Sequence, residues 1–165
     1  AKQLHFHFLT FLQNIRRVVQ AAVFDLGYVY QPVALADTDV EFRGEPPQAI
    51  TTQTADGLTL EGAYWPPDDG VDQIVVVFHG NAYNQMVSAY RAEPMRAGGR
   101  GVLIASYRGY GDNPGKPSEA GLYTDAEAWI AKAGELAPDS RLYVFGFSLG
   151  GVEYCRYGCL ALAPD

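Results

Sequence analysis

The sequence has 165 residues, with 12 Lys+Arg against 19 Asp+Glu and a net charge of −7. Such an acidic chain repels a phosphate backbone, which argues against nucleic-acid partners. With 48% hydrophobic and 19% charged residues it is not intrinsically disordered, and no apolar run reaches the length of a membrane span.

Phe8, Phe11, Leu12, Ile15, Val18, Val19, Ala22 and Val23 recur at helical spacing and predict an amphipathic helix from about Leu4 to Phe24, within an N-terminal segment 1–30. That helix either packs on a domain or lies on a membrane surface, so the expected location is cytoplasmic or membrane-associated. Arg16 and Arg17 argue against a spanning helix, and no signal-peptide cleavage site follows. Residues 31–47, with their prolines and acids, read as a connecting segment.

From 48 onward the pattern changes. Ile50–Thr54 and Leu58–Trp65 are β-rich and flank Ala55-Asp56-Gly57, an Asp-Gly hairpin signal. Pro66–Gly70 is a turn, and Ile74–Phe78 is a continuous apolar run, as in a strand covered on both faces. Val87–Ala97 reads as a helix disturbed at Pro94 and ended by Gly98-Gly99. Val102–Ala105 is a second buried strand. Ser118–Leu136 is helical, with Leu122, Ala126, Trp129, Ile130 and Ala133 on one face. Pro117 opens it, and Ser118 with Gly121 makes no capping box. Leu142–Phe147 is a third buried strand. A hairpin followed by strand–helix–strand–helix–strand predicts an α/β fold with a parallel sheet.

Three loops after these strands carry chemistry. Gly146-Phe147-Ser148-Leu149-Gly150 fits G-x-S-x-G directly after an apolar strand, the setting of a nucleophile elbow. A serine on so sharp a turn needs Gly146 and Gly150 beside it, because side chains there would strike the neighbouring strand and helix, and Gly151 is expected to keep that helix close. The helix start then points its N–H groups toward a developing negative charge. His79-Gly80-Asn81 follows Ile74–Phe78, so the oxyanion donors are the N–H groups of Leu149 and Asn81. His79 precedes Gly80 at a strand end, which reads as support for the oxyanion loop rather than as a general base. The roles of Asn84 and Gln85 stay open. In Tyr107-Arg108-Gly109-Tyr110-Gly111, Arg108 reads as a structural pin for its loop. Asp125 reads as a surface or capping residue, not a triad acid. Tyr83, Tyr110 and Trp129 are either aromatic walls or core.

These three loops, with Pro117-Ser118-Glu119-Ala120-Gly121-Leu122-Tyr123-Thr124-Asp125-Ala126, resemble the α/β-hydrolase superfamily, in particular its serine hydrolases with H-G-N and Y-R-G-Y-G loops. The resemblance covers residues 48 to 151 and implies the N-terminal half of that fold, a β-hairpin and then parallel strands with flanking helices. It implies Ser148 as nucleophile acting on a small-molecule ester, thioester or amide through an acyl-enzyme. Similar proteins often carry an N-terminal membrane segment. No nucleotide fingerprint or metal-ligand cluster is visible, so no cofactor or metal is expected.

The family's triad runs Ser, Asp/Glu, His in chain order. After Ser148 this sequence offers only Glu153 and Asp165 as acids and no histidine. The expectation is that roughly a hundred residues of the fold are missing, and that this chain alone is nearly inactive. Both cysteines, Cys155 and Cys159, fall in the atypical tail 152–165, which is expected to be out of frame or a divergent helix start. The competing function is a truncated, non-catalytic binding or scaffold domain.

Overall fold

The computed structural model describes residues 30–151, and residues 32–151 belong to one compact unit. The predicted helix Leu4–Phe24 and the tail 152–165 lie outside the described residues.

The elements are β1 (Gln48–Gln53), β2 (Thr59–Trp65), β3 (Gln73–Phe78), α1 (Gln85–Ala92), β4 (Gly101–Ala105), α2 (Glu119–Leu136) and β5 (Arg141–Gly146). They build one five-stranded sheet in the order β1-β2-β4-β3-β5. β3 pairs in parallel with β4 and with β5, as the strand–helix–strand spacing requires. The hairpin strand β2 runs antiparallel to β1, as expected, and also to β4. The hairpin turn forms at Asp56-Gly57, with Gly57 at φ +90° and a Thr54 N–H to Leu58 O bond of 2.9 Å. The result is an α/β fold with a mixed sheet.

β4 is buried along its whole length, between a layer on α1 and a layer on α2. On the α2 side Trp129 is fully buried and donates Nε1–H to Ser106 O at 2.7 Å. Gly62 makes room for it, since a Cβ there would lie 2.7 Å from the indole ring. The connecting segment packs on the same unit: Trp65 Nε1–H donates to Glu45 O at 2.8 Å, and Gly111 N–H to Val33 O at 3.0 Å.

Both helices owe their starts to side-chain caps. Asn84 Oδ1 accepts from Met86 N at 3.0 Å and Val87 N at 3.1 Å, so α1 begins two residues earlier than hydrophobic spacing predicts. It ends earlier too, because Pro94 cannot continue the α ladder and Glu93–Arg96 tighten into a 3-10 turn. Ser118 Oγ accepts from Gly121 N at 3.1 Å, a cap without the reciprocal box, since glycine at that position has no side chain to return the bond.

Two expectations fail. Leu142–Phe147 is not a buried strand: Tyr143, Phe145 and Phe147 are 46%, 43% and 53% exposed. β5 lies at the sheet edge with β3 as its neighbour, and its apolar sequence records an environment that the described residues do not supply. Asp125 is not a surface or capping residue but is fully buried. It accepts from Arg108 N at 2.9 Å, Arg108 Nε at 3.0 Å and Arg108 Nη2 at 2.7 Å. Asp56 takes the rest of the guanidinium, at 2.7 Å from Nη1 and 3.0 Å from Nη2, and that pairing holds its carboxyl at about 2. Gly121 lets α2 approach this cluster, since a Cβ there would sit 2.7 Å from Arg108 Cδ. Removing one partner of a buried ion pair costs about 3–5 kcal/mol, because the other charge is stranded. Asp125→Ala leaves Arg108 paired only with the exposed Asp56 and its backbone N–H without that acceptor, so stability in urea unfolding is expected to fall by roughly 2–3 kcal/mol, short of the full cost. A loss below about 1 kcal/mol, the level of an exposed pair, would show that the cluster does not hold the loop.

Candidate active site

The parallel pair β3–β5 brings two loops together at its C-terminal edge. Phe147 N–H donates to Phe78 O at 3.1 Å, extending the ladder one residue beyond β5. The chain then turns sharply and is helical from 149 to 151. Ser148, at the turn, is exposed and held at φ +54°, the left-handed region that L-residues avoid. Gly146 and Gly150 are required by space. A Cβ on Gly146 would overlap the Gly150 carbonyl, and one on Gly150 would overlap the Phe78 carbonyl. Gly151 is not: a Cβ there would make an ordinary 3.9 Å contact with Gly146 O, so Gly150, not Gly151, sets how close the helix comes. Leu149 opens the helical turn, where N–H groups have no acceptor within the helix.

His79-Gly80-Asn81 leans against this elbow. A Cβ on Gly80 would lie 2.9 Å from Phe147 Cδ1 and 3.3 Å from Phe147 O. His79 is 2% exposed, and both ring nitrogens are engaged. Nδ1 faces Gly80 O at 2.8 Å; a carbonyl only accepts, so Nδ1 carries the proton. Nε2 then accepts from Ser106 Oγ–H at 3.3 Å, a proton that Ser106 shares with Gln85 Oε1 at 3.4 Å. Burial pushes the imidazole down to about 4, so it is neutral at pH 7. The ring does not serve Ser148; it fixes the Gly80–Asn81 peptide. In a trans peptide the N–H opposes the C=O, so drawing Gly80 O toward the imidazole turns the Asn81 N–H away from it.

The neighbouring loop frames these residues. Tyr107 OH donates to His79 O at 3.0 Å, and Tyr110 OH donates to Asn81 Oδ1 at 2.7 Å. Ala82 follows at φ +57°, and Asn84 ties the end of the loop to Ala34 O at 3.0 Å and Thr38 Oγ1 at 2.5 Å. Arg108 is engaged by the two aspartates, and Tyr110 and Trp129 are fully buried. Sequence reasoning missed Ser106 and the hydroxyls of Tyr107 and Tyr110. The available signal was two tyrosines set among glycines, at a strand end where a buried phenol needs a partner. Tyr83 stacks on Phe147, with centroids 6.3 Å apart, and carries the Arg91 guanidinium 4.8 Å above its ring. These residues help line a cleft of about 200 Å³ on the α1 side, which Ser148 does not line.

Two predictions follow from this geometry. Ser148→Gly relieves the positive φ while Ser148→Ala keeps it, so the glycine variant should be more stable than the alanine variant by about 1 kcal/mol in chemical denaturation. Equal stabilities would mean the turn is unstrained. His79 titrates near 6.5 when exposed and near 4 when buried, so the unfolded chain takes up the proton first as pH falls. Its contribution is complete above pH 6.5 and is lost between there and about pH 4, up to roughly 3 kcal/mol. Urea midpoints across that window should slope steeply in the wild type and flatten in His79→Gln; identical slopes would contradict the assignment.

A hydrolase family described as serine aminopeptidase, S33, matches residues 69–164. An uncharacterized protein of Mycobacterium tuberculosis is 40% identical over 105 residues, 61% of this chain and 37% of that protein. An esterase from Pyrococcus furiosus matches the fold with a TM-score of 0.59 at 23% identity, covering 76% of this chain and 51% of the esterase. A soluble variant of monoglyceride lipase from Saccharomyces cerevisiae, solved with a substrate analogue, gives 0.62 at 21% identity, covering 74% and 42% of the two chains. At these identities the solved structures show a common fold. The chain spans about two fifths of the length of the curated relatives it matches. By the match over residues 69–164, the chain belongs to the serine aminopeptidase S33 family of α/β serine hydrolases.

Proposed function

We propose that this chain carries the nucleophile and the oxyanion-binding half of a serine hydrolase acting on an ester, thioester or amide. The observation that carries this reading is Ser148 itself, exposed at φ +54° between two glycines that admit no side chain. Ser148 Oγ attacks the substrate carbonyl carbon, and the carbonyl π electrons move to oxygen. The N–H groups of Asn81 and Leu149 receive that oxyanion. Its collapse expels the alcohol, thiol or amine, which takes up the proton that left Ser148, and leaves an acyl-serine; water then hydrolyses the acyl-serine to acid and returns a proton to Ser148.

The base that takes the Ser148 proton is not His79, whose two nitrogens are committed to Gly80 and Ser106. His79 is the only histidine among the described residues. Without a base a serine hydroxyl is a poor nucleophile at neutral pH. The described residues therefore supply no histidine base to Ser148, and labelling is expected to be slow but at Ser148. Incubation with a fluorophosphonate, followed by peptide mass spectrometry, should place the adduct on Ser148, and Ser148→Ala should abolish it. An adduct at another serine, or one that survives Ser148→Ala, would overturn the nucleophile and favour the scaffold reading. Labelling as fast as that of a typical esterase would instead show that this chain contains its own base.

A further inference from the structure

We infer that Tyr110 is a positioning residue for the oxyanion donor: its hydroxyl, held rigidly by the loop after β4, fixes Asn81 and thereby aims the Asn81 N–H. The inference rests on the proposed role of Asn81 and deepens it. Each residue of His79-Gly80-Asn81 is restrained by a separate bond. Tyr107 holds the His79 carbonyl, the His79 ring holds the Gly80 carbonyl, and Tyr110 holds the Asn81 side chain. The first two fix the peptide planes leading to Asn81. The third fixes Asn81 beyond its own nitrogen, where Ala82 at φ +57° would otherwise relax.

Tyr110 is suited to this because it cannot move. It is fully buried, and its ring packs edge-on against His79 at 5.4 Å and Tyr107 at 5.7 Å. Its N–H donates to Tyr107 O at 3.0 Å, and its carbonyl accepts from Asn113 N at 3.0 Å. The flanking glycines, Gly109 at φ +79° and Gly111 at φ +55°, let the chain fold back so that the phenol reaches the oxyanion loop. A bond of 2.7 Å from a locked ring is a fixed point for a half-buried side chain in a strained turn. If Tyr110 served packing alone, the ring without its hydroxyl would do the same work.

Tyr110→Phe separates these roles, and Asn81→Ala removes the same bond from its other end, so the test survives if either variant fails to fold. Amide hydrogen exchange by NMR on the 165-residue chain reads Asn81 directly. In Tyr110→Phe the Asn81 amide should exchange at least about tenfold faster, the equivalent of one lost hydrogen bond, while the Gly150 amide keeps its rate. Phosphonylation of Ser148 should slow by a similar factor. It should slow no further when Asn81→Ala is added, because the two groups act through one bond. Unchanged Asn81 exchange in Tyr110→Phe, or independent additive effects of the two substitutions, would overturn the inference. If Ser148 is labelled in no variant, the hydrolase reading fails, and the exchange rates still decide whether Tyr110 holds Asn81.

Discussion

The approach of Gly150 to the Phe78 carbonyl governs the rest of the site. No Cβ fits at Gly150 or at Gly146, so the chain leaving β5 reverses within a few bonds and re-enters as a helix. A turn that tight leaves its middle residue in the left-handed region, which sets Ser148 outward on an exposed corner. The same crossing brings Phe147 close under Gly80, where a Cβ would lie 2.9 Å from the ring and 3.3 Å from the carbonyl oxygen. One backbone contact between parallel neighbours therefore joins two loops that are about seventy residues apart in sequence, through the pairing of β3 with β5.

The third loop stiffens that junction. Among the described residues three non-glycines, Ala82, Asp112 and Ser148, hold positive φ, each at a cost of roughly 1–2 kcal/mol. Such strain persists only where the surroundings over-determine the backbone. Here the surroundings are polar and buried. Arg108 is anchored by Asp125 and Asp56, Tyr107 and Tyr110 reach across to the His79–Asn81 loop, and Ser106 sits between Trp129 and His79. Gly109, Gly115 and Gly121 give Arg108 and Pro117 their space, which explains why a glycine-rich loop with arginine is followed eventually by aspartate on the next helix. The spacing from Gly121 to Asp125 is one helical turn, so the residue that yields room and the residue that supplies charge share a face of α2.

Much of this was legible in sequence. The strands were readable because β3 and β4 are short apolar runs bounded by turn residues, and the elbow because its glycines answer a steric demand that any such turn makes. Asp125 was misread because a lone aspartate in a helix is ordinarily solvated; only its distance to Arg108, a contact across seventeen positions, reveals the burial. β5 was misread in the opposite sense. Its sequence specifies a covered strand, and no periodicity can say whether the covering partner is among the residues described. The tyrosine hydroxyls were invisible because a phenol's partner is set by tertiary packing, not by neighbours in the chain.

The strained serine also separates the two functional readings. A turn that served only to connect β5 to a helix would be best filled by glycine at position 148, as it already is at 146, 150 and 151. Glycine takes positive φ without the Cβ penalty. Serine there gives up stability and gains an exposed hydroxyl beside two loops whose peptide planes are fixed from behind. The neutral, doubly bonded His79 fits the same division of labour. A histidine that shuttled protons would need a free nitrogen and a pKa near 7. One that holds a carbonyl needs a dry pocket and a settled tautomer, and His79 has both. The described residues thus set an exposed, strained Ser148 beside the His79–Asn81 loop, and His79 is committed to holding that loop.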